Sequence, residues 1–266
     1  MKGKGFRKLV LEFENFHHAG FYREVDSTNL KLLEWLKTEP ERADVIIAAT
    51  QTKGRGRREN IWFSPKGGLW LSARIPYLDF GKHLSVLNIL CGLSCVKACN
   101  SIINEVNMSS AKTFLRWPND LMLLDRKLGG LLIEIKTVGR FVKSIVLGVG
   151  INVNQKTLPA QIKKQAISLM IATKKRFSRY DLMLRILKEL DMMICGFKEK
   201  GTEDMAADWK SVSYEIGRRV EIVTGKGRKT RGEVVGIGRS GELLLIDDNT
   251  DTKRIFQGFG LKLLDK

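Results

Sequence analysis

The chain has 266 residues, 43% hydrophobic and 28% charged, enough apolar content for one large domain or a domain plus a small module. No apolar h-region follows the basic residues Met1 to Lys8, and no run of about 18 apolar residues is evident, so neither a signal peptide nor a membrane span is expected. The net charge of +17 suits solubility, nucleic acid, phosphorylated ligands or an acidic protein; it is spread along the chain, with denser spots at TKGRGRR (52–58) and TGKGRKTR (224–231).

In chain order, Phe21 to Val25 is predicted as a strand running into Asp26-Ser27-Thr28-Asn29, a polar cluster suited to capping a helix over Leu30–Lys37. VIIAAT (45–50) is a buried strand, Gln51 to Asn60 a Gly- and Arg-rich loop, and Leu69–Ile75 a further strand. His83 to Val106 has apolar residues at helical spacing. Within it Cys91, Cys95 and Cys99 recur every four residues and so share one helix face. With no CxxC pair and three histidines in the chain, neither zinc nor disulfides are expected; small core residues in a reducing, cytoplasmic setting fit better.

Thr113–Leu124, Leu131–Thr137 and Phe141–Val149 are predicted as three antiparallel strands joined by turns at Asp125–Gly130 and Val138–Arg140. Helices are expected over Pro159–Ala172, Ser178–Lys200 and around Asp204–Val212. After Tyr214, the short strands VEIVT, GEVVGI, ELLLID and KRIFQGF suggest a small β-barrel leaning on the rest. The expected division is therefore 1–212 and 213–266, in the α+β class, with helices packed on a mixed, largely antiparallel sheet.

Two stretches carry chemistry. In TQTKGRGRRENIW (50–62), Gly54 and Gly56 let the backbone approach an anion while Arg55, Arg57 and Arg58 supply charge. The loop lacks the GxxxxGK[ST] pattern, and a solvated turn or a nonspecific RNA contact would use the same residues. In RWPNDLMLLDRKLGGLLIE (116–134), Lys127 beside Gly129-Gly130 would sit at a hairpin tip or just inside it. Asn119 and Asp120 could hold Mg²⁺ with its waters, and the alternative is a surface lysine on a tight turn. Ser27, Thr28 and Asn29 could bond a polar head-group or cap the helix; Trp62 and Trp117 could stack on a base or fill the core; Asn152 could read an adenine edge or make a turn.

The ordered set DSTN (26–29), QTxGRGR (51–57), WFSP (62–65), WPNDL (117–121), RKLGGLLIE (126–134) and GVGINVN (148–154) resembles the biotin protein ligases, from about residue 20 to the end. The resemblance implies a class II synthetase-like fold with a C-terminal SH3-like β-barrel. It also implies a two-step reaction: biotin and MgATP give biotinyl-5′-AMP, and a lysine of a biotin carboxyl carrier domain then takes the biotin. Carried over, Ser27, Thr28, Asn29 and Gln51 would bind biotin together with Arg55, Gly56, Arg57, Lys127, Gly129 and Gly130. Arg57, Trp62, Asn119, Asp120 and Asn152 would face ATP and the adenylate, with Asp120 toward Mg²⁺, and Lys127 and Arg57 would be catalytic.

This chain departs from the family's GRGRRGR loop at Glu59 and Asn60, and Arg116 stands where lysine is usual. The residues before the first strand are too few for the helix-turn-helix domain of bifunctional members, so no operator binding is expected. A lipoate or other acyl ligase on the same architecture, and a basic nucleic-acid-binding protein, are the competing readings. The positive excess would steer an acidic carrier, and an edge strand at the end of the sheet could pair with a second copy, giving a homodimer, or with the carrier.

Overall fold

Strand β3 (Val45–Gln51) sends Val45 and Ile47 to one side of a sheet and Ile46 and Ala48 to the other, and all four are buried, so both faces must be covered. The structure, a computed structural model, describes residues 7–78, 84–108 and 111–264. His83, the first residue of the expected long helix, and the extreme residues of both expected domains lie outside these.

The sheet has eight strands. With β1 (Arg7–Val10), β2 (His18–Val25), β4 (Leu69–Ile75), β5 (Thr113–Arg116), β6 (Asp120–Leu123), β7 (Arg126–Val138) and β8 (Phe141–Ile151), the order is β1-β2-β3-β4-β8-β7-β6-β5, and only β2 and β3 run parallel. Helix α1 (Thr28–Thr38) covers one face with Leu32, Leu33 and Trp35. Helix α2 (Leu84–Asn104), backed by α4 (Arg179–Lys200) and α5 (Met205–Val212), covers the other.

By length and composition alone Ser85–Asn104 is apolar enough to cross a membrane, at a mean hydropathy of 1.6, although polar residues and Lys97 interrupt the apolar run. Here 72% of that apolar window is buried inside the fold. Cys91, Cys95 and Cys99 are free and buried there, as their spacing implied. Burial pushes their thiols up, Cys99 to about 12.

Three expected elements differ. Thr113–Leu124 is two strands, β5 and β6, folded back on each other at Trp117-Pro118. The expected turn at Asp125–Gly130 shrinks to Leu124 and Asp125, both at positive φ, so Lys127 and both glycines belong to strand β7. Of the helix over Pro159–Ala172 only α3 (Leu169–Thr173) forms, because the Ser168 hydroxyl caps it there by accepting the Ile171 N–H at 3.0 Å. Upstream, Ala166 bridges to Lys127 as an extra edge of the sheet.

The C-terminal strands β9 (Arg219–Val223), β10 (Lys229–Ile237), β11 (Leu243–Ile246), β12 (Thr252–Ile255) and β13 (Phe259–Leu263) form an antiparallel sheet in the order β12-β11-β10-β9-β13. Among the described residues β12 and β13 do not pair, so the expected barrel stays open. Its buried residues Val220, Ile222, Val234, Leu243 and Leu245 continue the core of the large sheet.

Trp117 ties the two sheets together, donating Nε1–H to the Gly241 carbonyl at 3.0 Å and its backbone N–H to Glu215 Oε1 at 2.6 Å. Glu215 Oε2 has no partner, and burial pushes this carboxyl from 4.5 up to about 8. Below pH 4.5 the folded and unfolded chains both hold that proton. Between 4.5 and 8 only the unfolded chain releases it, so stability falls as pH rises through that window. Glu215→Gln is expected to remove this slope. Its Tm should exceed the parent's at pH 8 by at least about 2–4 °C, the effect of roughly 1 kcal/mol at this size, and match it near pH 5. Parallel Tm–pH curves would contradict the assignment.

Candidate active site

Register decides where the site lies. Trp70, Gly150, Gly130, Asp120 and Arg116 are successive cross-strand partners on β4, β8, β7, β6 and β5. Beside them runs the shorter row Ser72, Gly148, Leu132. The glycines leave a trough on the α1 side of the sheet, which neighbours fill. A Cβ at Gly148 would stand 2.4 Å from Asn29 Oδ1, and one at Gly150 would stand 2.5 Å from Trp62 Nε1. The trough is the floor of a cavity of about 560 Å³, whose walls come from the start of α1, the 51–62 loop, the WPND turn, strand β7, and Ile222 and Gly258–Leu261 of the C-terminal sheet.

Lys127 stands on this wall. Its ammonium lies 2.6 Å from Asp120 Oδ1 and 5.1 Å from the centre of the Trp62 ring. Asp120 is shared: Arg116 meets its other oxygen at 2.6 Å. Burial alone would raise the Asp120 carboxyl, but the charges and hydrogen bonds of Lys127 and Arg116 win and hold it below its ordinary value. With both oxygens in ion pairs, Asp120 has little left for a cation, and among the described residues no three His, Cys, Asp or Glu gather as a metal site. The residues present do not fit a protein-held Mg²⁺, contrary to the expectation for Asp120; a divalent cation belongs with the nucleotide it accompanies.

The arginine loop closes over the same space. Arg57 donates Nη1–H to Asn119 Oδ1 at 3.1 Å, while the Asn119 amide donates to the Leu131 carbonyl at 2.6 Å. Burial pulls the Arg57 guanidinium down, with Asp120 opposing. Arg58, at φ +56°, stacks 3.4 Å above the Phe259 ring and so pins the loop to the C-terminal sheet. Glu59, at φ +62°, is exposed and off the cavity wall, so its charge points away from the anion loop. Arg55, Arg57, Arg58, Arg116 and Lys127 set five cations around Asp120, a field for an anion larger than one carboxylate.

At the other end, Ser27 begins α1, but its side chain makes no cap bond. Gln51 caps instead, its Oε1 accepting the Thr28 N–H at 2.8 Å and the Thr28 hydroxyl at 3.0 Å. Gln51 Nε2 donates to Ser64 Oγ at 2.8 Å, and Ser72 Oγ lies 2.7 Å from Thr28 Oγ1 and 2.5 Å from Asn29 Oδ1, with one proton to share between them. The Asn29 amide donates to Glu134 Oε2 at 2.8 Å, and Glu134 Oε1 takes Arg55 at 2.9 Å. Of Ser27, Thr28 and Asn29, only the Ser27 hydroxyl has no intramolecular hydrogen bond among the described residues. Trp62 Nε1, buried without a partner, is a second unspent donor.

The fold thus gathers Ser27, Thr28, Asn29, Gln51, Arg55, Gly56, Arg57, Trp62, Asn119, Asp120, Lys127 and Gly130. Gly129 and Asn152 do not line the cavity. A Cβ at Gly129 would meet the Gly150 carbonyl at 2.6 Å, and Asn152 Oδ1 accepts Gln155 Nε2–H at 3.3 Å. Sequence reading missed Glu134 and Ser72. Glu134 was legible, since a period of two from Gly130 through Leu132 puts it on the cavity face.

Residues 21–152 match the Biotin/lipoate A/B protein ligase family. The chain is 30% identical over 226 residues to the bifunctional ligase/repressor BirA of Escherichia coli, covering 84% of this chain and 68% of that one. It is 31% identical over 197 residues to the biotin–[acetyl-CoA-carboxylase] ligase of Mycobacterium tuberculosis, covering 73% and 68%. The biotin protein ligase of Aquifex aeolicus in complex with biotin and ATP superposes with a TM-score of 0.80 at 29% identity, over 96% of this chain and 100% of that one.

Proposed function

The chain belongs to the biotin/lipoate A/B protein ligase family, and we propose that this cavity is where it joins biotin to ATP and then to a protein lysine. It is an ATP-dependent biotin–protein ligase. The observation that carries the residue roles is one ammonium, Lys127, fixed between Asp120 and the face of Trp62 where the arginine loop meets the α1 end of the cavity.

Two anions must meet in the first step. A carboxylate and a phosphate about 4 Å apart repel by about 4 kcal/mol at an effective dielectric of 20. Biotin enters at Ser27–Asn29, its head-group taking the unspent Ser27 hydroxyl and the pre-bonded Thr28, Asn29 and Gln51 shell. Its carboxylate reaches Lys127, and a carboxylate oxygen attacks the α-phosphorus of ATP as pyrophosphate leaves. Arg57, held by Asn119, and Arg55, held by Glu134, close over the mixed anhydride, and Trp62 offers its free N–H to the adenylate. In the second step the ε-amine of a carrier lysine attacks the anhydride carbonyl, loses its proton as the C–N bond forms, and expels AMP.

Gly129 serves the approach of β7 to β8 in this reading, and Asn152 anchors the chain leaving β8. The units divide at 212/213, where Ser213 bridges to β5. The edge strand β1 would offer a second copy a pairing surface for a homodimer, and the free, buried Cys91, Cys95 and Cys99 support a cytoplasmic setting.

Biotin, MgATP and a biotin carboxyl carrier domain incubated with the protein should yield one biotin adduct by intact mass. Biotin alone, not lipoate or octanoate, should raise the Tm. A lipoate adduct in place of biotin would overturn the substrate assignment.

A further inference from the structure

Residues 135–180 hold ten lysines and arginines and no acidic residue, a longer acid-free basic stretch than surrounds either spot the sequence first draws attention to. In the C-terminal spot, Lys229 and Arg231 are neutralised by Glu221 at 3.1 and 2.7 Å. Part of the acid-free stretch folds around a second cavity of about 620 Å³. Arg126, Lys156, Lys163 and Lys174 rim it, and Met170 and Ile171 lie on its floor. Among the described residues none of these four cations has a side-chain ion pair or hydrogen bond. A merely solvated face does not require an apolar concavity at the centre of its charge.

The place of this cavity relative to Lys127 matters most. One turn of chain, 159–166, is the wall between the two cavities: Ile162 and Gln165 face the first, Lys163 and Ala166 the second. That wall is fastened to the backbone of Lys127 itself. The Lys127 N–H donates to the Gln165 carbonyl at 2.8 Å, and Lys127 accepts from Ile167 N–H at 3.0 Å. Arg126 and Lys127, adjacent on β7, serve one cavity each.

We infer that the second cavity is the docking surface for the acceptor protein, an acidic carrier domain that pairs carboxylates with the four cations and seats an apolar side chain on Met170 and Ile171. A body held there stands one chain's thickness from the adenylate, so its lysine can enter the mouth of the first cavity. This rests on the ligase reading given above and adds to it where the protein substrate binds. Charge complementarity at such a rim acts mainly on association and partner choice.

The test separates the two half-reactions in the triple variant Lys156→Glu/Lys163→Glu/Lys174→Glu. Biotin-dependent exchange of pyrophosphate into ATP, and transfer from the adenylate to hydroxylamine, are expected to stay within about twofold of the parent. The kcat/KM for the carrier domain should fall by about tenfold or more at roughly 50 mM salt, with the gap closing as salt rises towards 0.5 M. Unchanged carrier transfer would overturn the inference, as would an equal loss of exchange, which would place the rim in adenylation. So would a variant that keeps carrier transfer but loses binding to labelled duplex at about 150 mM salt, which would make the face a nucleic-acid surface. A parent without biotin-dependent exchange would instead sink the ligase reading itself, so the two failures are distinguishable.

Discussion

Replacing Lys127 by alanine is expected to lower the single-turnover rate of biotinyl-adenylate formation by about 10²–10³, the loss typical of one preorganised charge-stabilising group. The ammonium sits in the cavity before any substrate arrives, held by Asp120 at 2.6 Å and flanked by Trp62, so it need not reorganise as charge builds. The effect should appear in the rate more than in the apparent affinity for biotin, whose head-group is held at the α1 end. Asp120 supplies a control. If Lys127 mattered only by neutralising that carboxylate, Lys127→Ala/Asp120→Ala would regain the parent rate. The double variant is expected to stay as slow as the single one, and recovery would make Lys127 a structural residue.

The second large effect concerns two neighbouring glycines that sequence treats alike. Gly129→Ala pushes a methyl into the Gly150 carbonyl at 2.6 Å and Ile151 Cα at 3.3 Å, backbone atoms of the adjacent strand that cannot turn aside. Overpacking of this kind costs about 1–3 kcal/mol, so Tm should fall by several degrees, with about 2–4 °C for each kcal/mol. Gly130→Ala meets Lys127 Cε at 3.4 Å and Asp120 Oδ1 at 3.5 Å, ordinary contacts inside the cavity. Its Tm should stay within about 2 °C of the parent while the KM for biotin or ATP rises. Thermal melts and steady-state kinetics on the pair check both halves; the reverse pattern would mean that the strand register is wrong.

These glycines also explain what the sequence did and did not disclose. Strand β4 was legible to the residue because its apolar run is bounded by turn residues, and α1, α2, α4 and α5 because their apolar spacing persists over two turns or more. Lys127 is expected at a hairpin tip or just inside it, and it lies just inside; the expected turn itself ran too far because Gly-Gly usually marks a turn. The turn is made by Leu124 and Asp125, while the glycines let β7, β8 and the cavity floor approach closely, a demand from strands far along the chain. The same holds for Pro159–Ala172, where apolar spacing imitates a helix but Ala166 is recruited by Lys127 as a sheet partner. Most cavity residues were legible through their motifs. Their division of labour was not: Gln51 and Asn119 hold other residues in place, and Ser72 and Glu134 were hidden inside strands.

The measurement that bears most directly on the account is isotope exchange of pyrophosphate into ATP with no carrier present, in the parent and in Lys127→Ala. The parent should exchange label only when biotin is added, with lipoate and octanoate inert, and the variant should exchange at about a hundredth of that rate or less. Exchange that ignores biotin, or a variant as fast as the parent, would contradict it.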